Sequence, residues 1–142
     1  GLGDVYKREG YIFAGLPVPG SDTGDYLVRN LVGIDPNEKL LAIGDILEDV
    51  APIMFCLRDG DSAREDMLRM LRDLGKRART PVKGGVYFSC LGRGRNQFGA
   101  NSEELKLIRD ELGEFPLVGF FANGEISHNR LYGYTGVLAL FL

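Results

Sequence analysis

Apolar residues fall in short runs separated by turn-forming residues, and the spacing of those runs predicts most of the secondary structure. Tyr26 to Ile34 is rich in Leu, Val and Ile and stops at Asp35-Pro36-Asn37, a strong turn sequence. Leu40 to Leu47 follows, with Gly44-Asp45 as a bulge signal, and Pro52 to Leu57 is closed by Arg58-Asp59-Gly60. Runs this close together leave no room for crossover helices, so they predict an antiparallel meander. The period then changes. Ala63, Met67, Leu71, Leu74 and Ala78 recur at helical spacing across Asp61 to Arg79, while Arg64, Glu65, Arg69, Arg72 and Lys76 face elsewhere. Ser62 and Glu65 have capping-box spacing at the start, and Thr80-Pro81 stops the helix.

Beyond it, Val86 to Leu91 predicts a buried strand and Gly92 to Gly99 a loop. Asn101 to Leu112 predicts a second helix, with Asn101 as N-cap, Glu104 at N3, and Leu105, Ile108 and Leu112 as its apolar face. Gly113 is its natural stop. Leu117 to Ala122 and Leu131 to Leu142 are closing strands, joined through Asn123-Gly124-Glu125 and Ser127-His128-Asn129. The order βββ-α-β-α-ββ predicts an α+β fold: a single mixed or antiparallel sheet with the helices packed on one face. Met67, Leu71, Leu74, Leu105 and Ile108 are the expected core. Residues 1–24 are set apart by composition. Tyr11-Ile12-Phe13-Ala14 has the character of a short strand, but Pro17, Pro19, Gly20, Ser21 and Gly24 read as a loop or linker, which puts the start of the compact part, residues 25–142, at Asp25.

Length and composition narrow the function classes. A chain of 142 residues, 44% apolar, is one ordinary globular domain. A net charge of −3 carries no basic footprint, so no nucleic acid partner is expected. No apolar run approaches the ~20 residues that span a bilayer, and no signal-peptide pattern opens the chain, so no membrane partner is expected either. The chain starts at Gly1 rather than Met, as a piece of something longer would. Cys56 and Cys90 lie in apolar runs where a free cysteine behaves as a small buried hydrophobe, and two of them do not make a disulfide scaffold. Reduced thiols and a cytoplasmic location are expected.

Two loops carry the candidate chemistry. Gly92-Arg93-Gly94-Arg95 follows one buried strand, and Asn123-Gly124-Glu125 follows the next. A crossover through the intervening helix makes those strands parallel neighbours and aligns their C-terminal ends, so Arg93 and Glu125 are expected close together. Such a pair suits either a small-ligand pocket or a buried ion pair, and the chemistry of the loops does not separate the two. The dinucleotide fingerprint fails at its third glycine, where Gln97 stands. His128 is the sole histidine, with no cysteine or carboxylate at ligand spacing, so no metal site is expected. Cys90 beside arginines that would lower its pKa is a conceivable nucleophile, but the only bases on offer are His128 and Glu125, and a buried structural cysteine is the commoner case.

Several segments, in order and at matching spacing, resemble the C-terminal half of the FIST sensory domain. They are Tyr26-Leu27-Val28-Arg29-Asn30 with Gly33-Ile34-Asp35, and Arg58-Asp59 with Ala63-Arg64-Glu65-Asp66. Phe88-Ser89-Cys90-Leu91-Gly92-Arg93-Gly94 with Phe98-Gly99 continues the series, followed by Pro116-Leu117 and Gly119-Phe120-Phe121-Ala122-Asn123-Gly124-Glu125-Ile126. Leu131-Tyr132-Gly133-Tyr134-Thr135 completes it. The resemblance implies an intracellular, non-catalytic signal-transduction domain that senses a small, amino-acid-like ligand without a cofactor. It also implies an N-terminal FIST half that this chain lacks, and a signalling output domain or protein partner. The expected ligand-binding set is Cys90, Gly92, Arg93, Gly94, Phe120, Asn123, Gly124 and Glu125. The rival reading is a protein–protein recruitment module, for which a flat apolar patch near Phe98 and Phe120 would speak. An enzyme using Cys90 or Glu125 is a distant third.

Overall fold

The computed structural model describes residues 12–20, 26–47 and 52–142. It divides into two compact units, Gly1–Arg58 and Asp59–Leu142.

In the first unit, strands β1 (Ile12–Pro17), β2 (Tyr26–Asp35), β3 (Leu40–Ile43) and β4 (Met54–Leu57) form one sheet in the order β3-β2-β1-β4. Every pairing is antiparallel. β1, β2 and β3 make a meander, and β4 returns to the free edge of β1. The short strand expected around Ile12-Phe13-Ala14 is therefore present, runs on to Pro17 and lies inside the sheet. Its backbone groups are paired on both sides, and Phe13 and Ala14 are buried. Pro17, which has no N–H to give a ladder, stands at its end. The expected boundary at Asp25 lies outside the described residues, as do Tyr11, Ser21 and Gly24. Cys56 is a free, half-buried thiol whose pKa burial pushes up.

The second unit opens with helix α1 (Gly60–Arg77). Its cap is Asp59, not the Ser62–Glu65 box. The Asp59 carboxylate accepts from the Ser62 N–H at 2.8 Å and from the Ser62 hydroxyl at 2.7 Å, which starts the helix before Asp61. Then come β5 (Gly84–Cys90), a short helix α2 (Gly94–Phe98), α3 (Glu103–Leu112), β6 (Leu117–Ala122), β7 (Glu125–Ser127), β8 (Arg130–Tyr132) and β9 (Gly136–Phe141). Strands β6, β5 and β9 form a sheet in that order, β6 parallel and β9 antiparallel to β5, while β7 and β8 make a separate hairpin. The content is α+β as expected, but it is not a single sheet. The run Leu131–Leu142 breaks between β8 and β9, where Tyr134 takes a left-handed φ of 61° that no strand can continue. The first three apolar runs join β1 in a sheet of their own, with β2 and β4 along the two edges of β1 and β3 beyond β2.

Met67 and Leu71 of α1, Tyr87 of β5, and Leu107 and Ile108 of α3 form the core of this unit. Leu112, Phe115, Leu117 and Leu138 pack against it. The helices thus lie on the Tyr87 side of the sheet. Part of Gly92–Gly99, expected as loop, is helical in α2. The start of α3 also differs from the expectation. Asn101 and Ser102 have φ of 70° and 57°, so the helix begins at Glu103, and Ser102 at its N-cap makes no side-chain bond. The buried stripe becomes Glu104, Leu107 and Ile108, while Leu105 is 46% exposed and Leu74 half-buried. Gly113 stops α3 as expected, its N–H returning to the Arg109 carbonyl at 2.8 Å. Cys90 is a buried free thiol. Among the described residues no helix is long and apolar enough to cross a membrane.

Leu71 is fully buried at the centre of this core. Leu71→Ala should cost about 2–5 kcal/mol in denaturant unfolding of the helix signal, and Leu105→Ala about 0.5 kcal/mol or less. Equal losses would contradict the phase of α3 described above.

Candidate functional site

Parallel pairing sets Cys90 opposite Ala122, and the Leu91 N–H donates to the Ala122 carbonyl at 2.8 Å. The Gly92–Gly94 and Asn123–Glu125 turns therefore leave the same end of the sheet. Their charged side chains do not meet. The Arg93 guanidinium donates through Nε to Glu104 Oε1 at 2.9 Å, and Glu125 accepts the Thr135 hydroxyl. Glu125 Oε1 is buried without a hydrogen-bond partner among the described residues. The expected Arg93–Glu125 pair is replaced by one with Glu104, which lies on the buried stripe of α3 within reach of the turn after β5.

Glu104 is 5% exposed and is met by donors from several elements. The Tyr87 hydroxyl donates at 2.7 Å, the Ser89 hydroxyl lies 3.2 and 3.1 Å from the two carboxylate oxygens, and the Gly94 N–H donates at 2.9 Å. Arg93 completes the set, with its guanidinium carbon 4.8 Å from the centre of the Phe98 ring and its Nη1 reaching the Tyr134 carbonyl at 3.5 Å. Gly94 has a φ of 52°, and a Cβ there would meet the Phe121 ring at 2.8 Å, so both conformation and space call for glycine. Burial pushes the Tyr87 hydroxyl up to about 12; the Arg93 charge opposes that rise and the bond to Glu104 adds to it.

Above this cluster lies a groove of about 770 Å³ between β6 and the first turn of α3. Gly119 makes it possible. On the helix side of β6 it falls between Leu117 and Phe121, and its missing side chain leaves the floor open to Tyr87 and Ser89. A Cβ at Gly119 would run into the Tyr87 carbonyl. Leu105, Leu117 and Phe121 supply apolar wall, and Arg95, Asn101, Ser102 and Glu103 polar rim. A second hollow of about 640 Å³ shares Asn101, Ser102, Leu105 and Leu117 but reaches none of Tyr87, Ser89 and Glu104.

Of the residues expected to bind ligand, Gly94 and Phe120 line the groove, and Arg93 braces its floor through Glu104. Gly92 sits half-buried in the turn before it. Cys90 points to the opposite side of β5 from Tyr87 and Ser89 by strand alternation. Asn123 is exposed, Gly124 is half-buried and Glu125 is taken up with Thr135, so that loop contributes nothing to the groove. Neither of these two hollows is lined by Arg93 or Glu125. Sequence reasoning read Glu104 only as a helix-start residue. Its signal was a carboxylate three and four residues ahead of Leu107 and Ile108, on their own helix face. His128 lies exposed in the β7–β8 turn, and no group of His, Cys, Asp or Glu among the described residues is arranged to hold a metal ion.

The FIST C domain pattern matches residues 5–128. This chain belongs to the FIST C domain family. That family is one of signal-transduction sensory domains. The match begins ahead of Asp25, where composition had suggested the compact part starts. The FIST C chain is 40% identical over 131 residues to Rv0628c, an uncharacterized Mycobacterium tuberculosis protein, covering 89% of this chain and 34% of that protein. It is 35% identical over 131 residues to Mb0898c, an uncharacterized protein of Mycobacterium bovis, with 89% and 33% covered. The chain thus spans about a third of the length of the curated relatives it matches. No solved structure matches it.

Two outcomes follow from the Glu104 cluster of this FIST C domain. Arg93→Ala leaves a buried carboxylate without its counter-charge and should cost about 3–5 kcal/mol in denaturant unfolding. Tyr87 has a raised folded-state pKa, so its contribution is complete below its unfolded value of 10.0 and is lost as pH rises toward about 12. Stability measured across that alkaline window should fall with pH, and Tyr87→Phe should flatten the slope; an unchanged slope would place the alkaline sensitivity elsewhere.

Proposed function

We propose that this FIST C domain is an intracellular, small-ligand-sensing part of a signal-transduction protein, that its ligand is amino-acid-like, and that it binds the ligand without transforming it. The observation that carries this is the groove over Gly119. Its volume of about 770 Å³ falls in the usual range for small-molecule sites, roughly 300–1,000 Å³, and it combines apolar walls with a few convergent polar groups. Its floor is held in place by the bonds around Glu104, so little ordering is lost when a ligand enters. Membership of a sensory family supports the same reading. Binding without catalysis is supported by where the reactive groups lie. Cys90 faces away from the groove, Glu125 is not among its lining residues, and the Glu104 oxygens are already occupied by donors. Where such a domain sits in a longer protein, as in its relatives, the rest of that protein is where an N-terminal half and a signalling output belong.

One observation favours a second reading, recruitment of a protein partner. On the side of the second sheet away from the helices, Val118 is 68% and Phe120 66% exposed, and Val137 and Phe141 continue the patch. Phe120 packs edge-on against Phe88 with ring centres 4.9 Å apart, which holds this face flat and firm.

A thermal-shift screen of amino acids separates the two, because a ligand of the native state raises its melting temperature. Leu105→Trp fills the groove from an exposed helix position and should abolish the shift while leaving the unliganded melting point within a few degrees. A shift that survives Leu105→Trp places the site elsewhere. No shift at all, together with a partner interaction lost in Val137→Asp, would favour recruitment.

A further inference from the structure

We infer that Arg95 is the ligand's anchor, and that the groove selects an apolar carboxylate whose amino group is dispensable. This rests on the sensing role proposed above and names the chemistry of the same groove. The decisive point is which charges at the groove are already spent. Glu104 would be the natural partner of a ligand ammonium, but its Oε1 takes bonds from Tyr87 and Arg93 and its Oε2 from Ser89 and Gly94. Glu103, the other carboxylate on the rim, is held by Lys106 at 2.6 Å and Arg64 at 3.7 Å. The bond from Lys106 keeps its pKa below the ordinary value, so it stays an ion paired within the protein.

Arg95 is the opposite case. It lines the groove, is exposed, and makes no hydrogen bond or ion pair among the described residues. A guanidinium offers a planar fork of donors that matches a carboxylate in two parallel bonds. Its position is set by α2, whose first residue, Gly94, is fastened to Glu104. The groove's polar end therefore presents an open cation beside saturated anions, and its wall presents Leu105 and Phe121. A ligand with one carboxylate and an apolar tail meets the open cation and the apolar wall; an added ammonium finds no free carboxylate, only the neutral Asn101 and Ser102 side chains of the rim.

Calorimetric titration of this chain with two matched sets tests the assignment. One set is phenylalanine, phenylpropanoate and phenethylamine; the other is leucine, isocaproate and isoamylamine. In the set whose tail fits, the amino acid and its deaminated carboxylate should bind within a few-fold of each other, and the amine should not bind. Arg95→Gln should weaken both carboxylates about tenfold to a hundredfold, as expected for losing a charged hydrogen-bonding partner. Arg95→Lys should recover part of the loss, and neither variant should change the unliganded melting temperature, since the side chain has no partner to lose. Binding that requires the amino group, or carboxylate affinity unchanged in Arg95→Gln, overturns this inference and leaves the sensing role standing. Silence from all of these compounds overturns both.

Discussion

A carboxylate buried at the junction of strand, turn and helix sets the terms for the second unit. Leaving Glu104 ionised in the core would cost several kcal/mol unless it is both neutralised and hydrogen-bonded. Arg93 supplies the counter-charge, and Tyr87, Ser89 and the Gly94 N–H supply the bonds. The donors come from β5, the turn after it and the first residue of α2, so satisfying one carboxylate aligns these with α3. The left-handed conformation of Gly94 and the raised pKa of Tyr87 are consequences of this arrangement rather than separate features.

The groove follows from the same constraint. With α3 pinned by Glu104 and β6 drawn against β5, a side chain at position 119 would collide with Tyr87, and the glycine there leaves open space over a rigid floor. The charges inside that floor are mutually satisfied, whereas the rim keeps Arg95 unengaged. A site built in this way discriminates by what it leaves unpaired, because a ligand group gains most where a protein group still lacks a partner. The bare apolar face on the other side of the same sheet has a different character. Val118, Phe120, Val137 and Phe141 lie exposed there, and that breadth suits a macromolecular surface more than a small molecule.

Much of this was written in local pattern. The stripe of Met67 and Leu71 placed α1 on the core, and the run from Val86 followed by a helix and Leu117–Ala122 was enough to predict parallel neighbours with aligned ends. These features depend on period and on the handedness of crossovers, which a chain carries without knowing its neighbours. The motif segments around Phe88–Gly94 and Gly119–Ile126 likewise identified the family.

Three features were decided only in three dimensions. The short strand expected over Tyr11–Ala14 was set apart from the compact part, and Ile12–Pro17 becomes an internal strand of it because β2 and β4 pair with both of its edges. Two left-handed residues ahead of α3 delay its start, and at about 100° of rotation per residue a small change of phase carries Leu105 out to the groove and Glu104 into the core. The partner of Arg93 was expected to be Glu125, and Glu104 stood in the sequence only as a helix-start residue. Sequence determined which groups could be charged and which strands would lie side by side. Tertiary packing decided which carboxylate came within reach of Arg93, because the turn of α3 that buries Glu104 also sets it beside the loop after β5.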